Sequence, residues 1–490
     1  EEPNHLLCYN QHNPNRNICQ NTKKNTYMKR TVILTILDGW GIGSRDTSNP
    51  IHLVNPEHIN SIKRGFPIGS LQASGISVGL PWGEEGNSEV GHLNLGAGKV
   101  LYQYYPKISI AIQEGTFFEN QPLKKAFEHA KKNGSAVNIL GLLGTGNVHS
   151  SFEHLQALLE FAKKEHVEKI NLHLFTDGVD SAPQSAKELL AKLPRHTLAS
   201  LSGRFFSMDR DNHWDRVEKA YRVLLGQGPI TENIDTHIAE TYDRNMSDEF
   251  IEPVLIGPDN RGIKDNDAII FFDFRSDRIR QLSAAFIQKD FTYFHITPLK
   301  NCYIVTMARY SEAQGVPVAF EPDSIENPLG KVLADNNKTQ FRIAESEKYP
   351  HITYFFNGTR EKPFPGEFRL LIPSRRIGHL EEDPTMMAGE ITNRAIEAIQ
   401  EGIYDFILIN YANSDMLAHT GNMGACKEAI RIIDDEVSKL AQHALARDAV
   451  LLITSDHGNM ERVIDPYTGI PETKHNPNPV PVYLIAKEFA

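Results

Sequence analysis

Ser88 lies in the run Gly86-Asn87-Ser88-Glu89-Val90-Gly91-His92, with further glycines at 79, 83, 96 and 98. Such a loop lets backbone approach a phosphate and holds a hydroxyl clear of neighbouring side chains. A serine hydroxyl is a weak nucleophile at neutral pH and needs a base or a metal to act. The chain offers ligands for one: Asp38, the pair Asp415 and His419, the dipeptide Asp456-His457, and His475. Singly, each is commonplace, since an Asp-Gly after a strand is usually a turn and a lone histidine is usually structural. Together they make three aspartates and three histidines, nearly all at the ends of apolar runs. Oxygen and nitrogen donors without thiolate suit Mn2+, Zn2+ or Mg2+, and the number suffices for two ions.

Cations cluster in mid-chain. Arg210 and Arg216 lie in Met208-Asp209-Arg210-Asp211-Asn212-His213-Trp214-Asp215-Arg216, and Arg275 and Arg278 in Phe274-Arg275-Ser276-Asp277-Arg278. Lys348 follows in Glu345-Ser346-Glu347-Lys348. Guanidinium forks match phosphate and carboxylate oxygens. The alternation of Asp and Arg over 209–216 suits a surface ion-pair network equally well. Beside an activated serine, recognition of a small anion is the better reading.

Short apolar runs at 31–37, 136–143, 170–175, 268–272, 406–409 and 450–453 read as buried strands, each ending at polar or glycine residues. Helical spacing joins Phe152, Leu155, Leu158, Leu159 and Ala162, then Ile391, Ala395, Ile396 and Ile399, then Ile430, Ile433, Val437, Leu440 and Ala441. The alternation predicts an α/β protein with mostly parallel sheets, and ligands in such sheets gather at the carboxyl ends of strands. The length of 490 residues favours two domains. A net charge of −11 argues against nucleic acid as the default partner, and no apolar run approaches a membrane span. Cys8, Cys19, Cys302 and Cys426 form no framework, which suits a reducing, cytoplasmic setting. Residues 1–27 are polar and asparagine-rich and read as a disordered extension, with Met28 as a plausible start.

With these motifs in this order, the chain resembles the cofactor-independent phosphoglycerate mutases of the alkaline-phosphatase superfamily, from about Met28 onward. The resemblance implies an alkaline-phosphatase-like domain split in sequence, 28–103 and 321–490, with an inserted α/β phosphotransferase domain at 104–320. It implies two divalent metal ions, Mn2+ first and Zn2+, Co2+ or Mg2+ as alternatives, and no 2,3-bisphosphoglycerate. Asp415, His419 and His475 would bind one ion, and Asp38, Ser88, Asp456 and His457 the other. Lys348 and His149 would stabilise phosphate charge. Arg210, Arg216, Arg275 and Arg278 would hold glycerate, and Asp180 would exchange protons with its hydroxyls. The expected reaction interconverts 3-phosphoglycerate and 2-phosphoglycerate through phosphoserine, in a chain expected to be monomeric.

The substrate half departs from the family pattern. The family's Asp-Gly-Arg-Asp reads Asp177-Gly178-Val179-Asp180, and His213 and the stretch Gly144-Thr145-Gly146-Asn147 also differ. Losing one charge-assisted fork is worth about 1.5–3 kcal/mol of binding. A related metal-dependent phosphomutase or phosphatase with another small phosphorylated substrate is therefore the alternative. A catalytically idle binding protein is disfavoured by the intact serine and ligands.

Overall fold

The computed structural model describes residues 30–312, 314–375 and 378–489. The expected extension at 1–27, with Cys8, Cys19 and Met28, lies outside the described residues. The strands are β1 (Val32–Leu37), β2 (Ile68–Leu71), β3 (Val137–Leu143), β4 (Ile170–Thr176), β5 (Leu198–Gly203), β6 (Ile230–Thr231), β7 (Val254–Ile256), β8 (Ala268–Phe271), β9 (Tyr303–Thr306), β10 (Gln340–Glu345), β11 (Glu367–Ile372), β12 (Phe406–Tyr411), β13 (Val450–Thr454) and β14 (Val480–Ile485). They form two seven-stranded sheets, in the orders β11-β10-β12-β1-β13-β14-β2 and β6-β7-β5-β4-β3-β8-β9. The second sheet draws only on chain between β3 and β9, and the first only on what precedes and follows it.

Both sheets are parallel at the centre and mixed toward one edge. β1 lies parallel between β12 and β13, while β14 runs antiparallel to β13 and β2. In the second sheet, β4 lies parallel between β3 and β5, and β7 runs antiparallel to β5. The expected mostly parallel sheets are thus mixed, with antiparallel pairing confined to β14 with its two neighbours in one sheet and to β5 with β7 in the other. β3 and β12 are buried along their whole length, and β1 and β4 at all but their first residue, which is why they read as apolar runs. Helices Phe152–Lys164, Ala388–Glu401 and Met423–Ala446 bury the stripes that their spacing marks. Each sheet has its own large apolar cluster.

Parallel centres put the carboxyl ends of neighbouring strands along one edge. In the first sheet that edge carries Asp38 after β1, Asn410 in β12, Asp456 after β13 and Lys348 after β10. In the second it carries Asp177 after β4, Arg204 after β5 and Arg275 after β8.

Candidate active site

Ser88 is the first residue of helix Ser88–Ala97, and the Asn87 side chain caps that helix by accepting from the Val90 amide at 2.9 Å. The hydroxyl therefore sits at the positive end of a helix, where free amides favour an anion. Close packing holds it there. A Cβ on Gly91 would lie 2.7 Å from the Asp456 carbonyl oxygen. Gly39, at φ +71°, lets β1 turn against Asp415, where a Cβ would lie 2.8 Å from Cα. Only glycine permits both approaches.

Around Ser88 Oγ, Asp38 Oδ1 accepts at 3.2 Å, His457 Nε2 lies at 3.0 Å and Lys348 Nζ donates at 2.8 Å. Lys348 Nζ also donates to Asp38 Oδ1 at 2.6 Å and to Asp415 Oδ2 at 2.7 Å. All the predicted ligands converge here, in two groups: Asp415 with His419 and His475, and Asp38 with Asp456 and His457. Helix Asn413–Ala418 brings Asp415 Oδ1 within 3.2 Å of His419 Nε2.

Hydrogen bonding fits both groups to cations. His419 Nδ1 donates to the Thr473 carbonyl at 2.7 Å and His475 Nδ1 to the Gly86 carbonyl at 2.8 Å. In the neutral rings each Nε2 is then a lone pair, and the two lie 3.2 Å apart and both face Asp415 Oδ1. Lone pairs do not pair with each other, so this geometry calls for a shared cation, with the carbonyls orienting the rings. In the other group Asp456 Oδ2 is buried with no hydrogen-bond partner. Burial, then the neighbouring Asp456 charge, pushes the Asp38 carboxyl above its ordinary range. Burial opposes the Lys348 ammonium, but the Asp38, Asp415 and Asp456 charges hold it well above the usual lysine range. One buried lysine among three carboxylates leaves room for more positive charge.

The predicted substrate residues form a second centre on the other sheet. Asp277 ties Arg210 to Arg275, accepting from them at 3.0 and 3.1 Å, and faces His149 Nδ1 at 3.5 Å. Asp209 accepts from Arg216 at 3.3 Å and pairs with His213 at 3.0 Å, and Arg216 also lies 3.9 Å over the Phe205 ring. Arg278 reaches the Met208 carbonyl at 3.4 Å. Asp180 lies 3.7 Å from His149 Nε2 and accepts from Arg204 at 2.6 Å. The arginines pair with carboxylates of the protein, as the ion-pair reading of the Asp/Arg alternation expects, and they gather at one strand edge. Val179 is 54% exposed. A cavity of about 930 Å³ is lined by Trp82 and Glu84, from the loop before Ser88, and by Asn147, Val148 and Arg275.

Sequence reasoning did not single out His92, Asn410, Asp277 or Arg204 as site residues. His92 Nδ1 donates to the Ser88 carbonyl at 2.8 Å, and Asn410 Nδ2 donates to Asp38 Oδ2 at 2.8 Å. His92 and Asp277 lie inside runs already read and Asn410 directly after the apolar run at 406–409, whereas Arg204 follows a strand that carries no such run and left no signal.

Fold and site together define the class, a phosphoryl-transfer enzyme acting on small anions. Residues 108–312 match the family profile described as the BPG-independent PGAM N-terminus. The 2,3-bisphosphoglycerate-independent phosphoglycerate mutase of Clostridium botulinum is 42% identical over 472 residues, covering 94% of this chain and 92% of that protein. The protein of that name from Chloroflexus aurantiacus is 42% identical over 489 residues, covering 93% and 91%. A crystal structure of Leishmania mexicana phosphoglycerate mutase at low cobalt concentration is 29% identical, covers 93% of this chain and 90% of that one, and superposes with a TM-score of 0.48. The chain belongs to the 2,3-bisphosphoglycerate-independent phosphoglycerate mutase family, and is an isomerase. The alternative of an idle scaffold is set aside. Among the described residues no helix is long and apolar enough to cross a membrane.

Proposed function

We propose that Ser88 carries the phosphoryl group between the two hydroxyl oxygens of glycerate, taking it from 3-phosphoglycerate and returning it to oxygen 2. The observation that carries this reading is the Ser88 hydroxyl at a helix amino end, within 3.2 Å of Asp38, His457 and Lys348. The segments 28–103 and 321–490 form the phosphatase-like unit, and 104–320 the inserted substrate unit.

In the first step the Ser88 Oγ–phosphorus bond forms as the bond to oxygen 3 breaks. Lys348 meets the transferring oxygens, and the amides of the helix amino end face them. Divalent cations at the two carboxylate–histidine groups, with Mn2+ the first candidate from the family resemblance, would favour the ionised form of the serine hydroxyl and neutralise phosphoryl charge. Glycerate then turns while Arg210, Arg216, Arg275 and Arg278 keep its carboxylate and hydroxyls. In the second step oxygen 2 attacks and Ser88 leaves. Oxygen 3 gains one proton and oxygen 2 loses one, so Asp180 closes the balance by relaying a proton. His149 donates to the bound anion. Closure of the cavity between the two units would exclude water, which would otherwise hydrolyse the phosphoserine.

The test is conversion of 3-phosphoglycerate to 2-phosphoglycerate by metal-stripped protein, with Mn2+ added back and 2,3-bisphosphoglycerate absent. Conversion that depends on metal and disappears in Ser88→Ala is expected. Conversion surviving in Ser88→Ala would remove the phosphoserine route.

A further inference from the structure

Arg204 opens the short helix Arg204–Ser207 directly after β5 and is 2% exposed. Its Nη1 donates to Asp177 Oδ1 at 2.5 Å and to Asp180 Oδ2 at 2.6 Å, and its Nη2 lies 3.4 Å from His149 Nε2. A guanidinium has no acceptor atom, so the Nη2 contact is a hydrogen bond only if His149 Nε2 is the bare lone pair. The ring proton then sits on Nδ1. That atom is buried and has no hydrogen-bond partner, with Asp277 Oδ1 facing it at 3.5 Å. Three groups from the segments after two strands, β3 and β4, are thus referred to one buried cation that follows a third, β5.

We propose that Arg204 is a positioning residue that fixes His149 as the Nδ1–H tautomer and orients the Asp180 carboxylate, so that the two meet the substrate as one donor and one acceptor. The inference rests on the reading that His149 and Asp180 face the phosphoglycerate. Without the guanidinium, His149 Nε2 could carry the proton and turn it toward Asp180, 3.7 Å away. Donor and acceptor would then satisfy each other instead of the ligand. Four charged groups face the imidazole: Arg204 and Arg275 disfavour its protonation, and Asp277 and Asp180 favour it. Burial first, then Arg204, brings its pKa down to about 4, so the ring is neutral at physiological pH.

The experiment is ring-15N histidine NMR of the full chain without substrate, with His149→Gln to assign the resonance. The expected spectrum has Nδ1 protonated and Nε2 bare at pH 7. In Arg204→Gln the His149 titration should move up by about one pH unit or more as the fixed charge is lost. kcat should fall by ~100-fold, with its acid limb moving in step, while KM changes less. Arg204→Lys should keep the ring titration low, because the charge remains, and recover part of kcat. A wild-type ring protonated on Nε2, or a His149 titration indifferent to Arg204→Gln, would overturn the proposal. If Arg204→Gln does not fold, the wild-type tautomer and the Lys variant decide it. The NMR readout needs no turnover. A failure of the substrate reading would therefore appear in the conversion assay alone.

Discussion

Two centres built at the same place in two similar sheets handle charge in opposite ways. At the Ser88 centre Asp38, Asp456 and His457 are fully or almost fully buried, and one lysine answers three carboxylates. At the arginine centre Arg210 and Arg275 are open, at 48% and 54% exposure, and one carboxylate of the protein, Asp277, answers both. The first is buried and short of positive charge, which suits a site completed by cations and one transferring group. The second is partly neutralised by the protein's own carboxylates. Asp277 stands between Arg210 and Arg275 as a ligand carboxylate would. On the proposed reading, a substrate carboxylate would compete with it, and recognition there would depend on exchanging partners.

The sharpest way to break the contrast is to remove the buried cation from the first centre. Lys348→Met keeps the length of the stem but leaves Asp38 and Asp415 without their ammonium partner. Loss of a single preorganised donor costs about 10²–10³ in kcat, and a full charge aimed at phosphoryl oxygens sits at or beyond the top of that range. Steady-state kinetics should put the loss in kcat, with KM little changed. A loss confined to KM would move Lys348 from the chemistry to binding.

The second centre should respond the other way. Arg210→Ala removes one fork from an exposed, competitively held cluster. The expected cost is about 1.5–3 kcal/mol of binding, or roughly 10- to 150-fold in KM. The effect on kcat should be smaller. Equal losses in kcat and kcat/KM would mean that Arg210 acts only in the transition state, and the two centres would no longer divide chemistry from recognition.

The same contrast explains what was legible in the sequence. Ligand chemistry restricts a metal centre to few residue types, so Asp38, Asp415, His419, Asp456, His457 and His475 stood out by type and by position at strand ends. Fully buried strands such as β3 and β4 advertise themselves as apolar runs. β5 (Leu198–Gly203) did not, because its buried serines break the run, and β2, exposed along its length, carries no apolar pattern. Arg204 and Asp277 were also missed as site residues. A cation or carboxylate in sequence looks like surface, and only the fold reveals that Arg204 is buried against Asp177 and Asp180. Val179 was visible as a departure from the family pattern, but the guanidinium that holds the neighbouring Asp180 lies 24 residues further on.

The smallest expected effect concerns what lies beneath the arginine centre. His173 of β4 is buried between Ser200 Oγ, 2.8 Å from Nδ1, and Asn138 Oδ1, 3.2 Å from Nε2. Burial, helped by the Arg261 charge, depresses its pKa to about 3. An unfolded chain binds this proton below about pH 6.5, whereas the folded chain resists it down to about 3. The stability it contributes is therefore fully present above pH 6.5 and is lost as the pH falls toward 3. At pH 4.5 the loss is on the order of 2–3 kcal/mol. His173→Gln keeps a hydrogen-bonding group and has no such proton to gain. Its unfolding free energy should fall less than that of the wild type between pH 7 and 4.5. Hydrogen exchange should locate the difference in β3, β4 and β5, with β1, β12 and β13 unaffected. An acid response spread evenly over both sheets would show that the two centres share one cooperative unit, and their division of labour would then be chemical only.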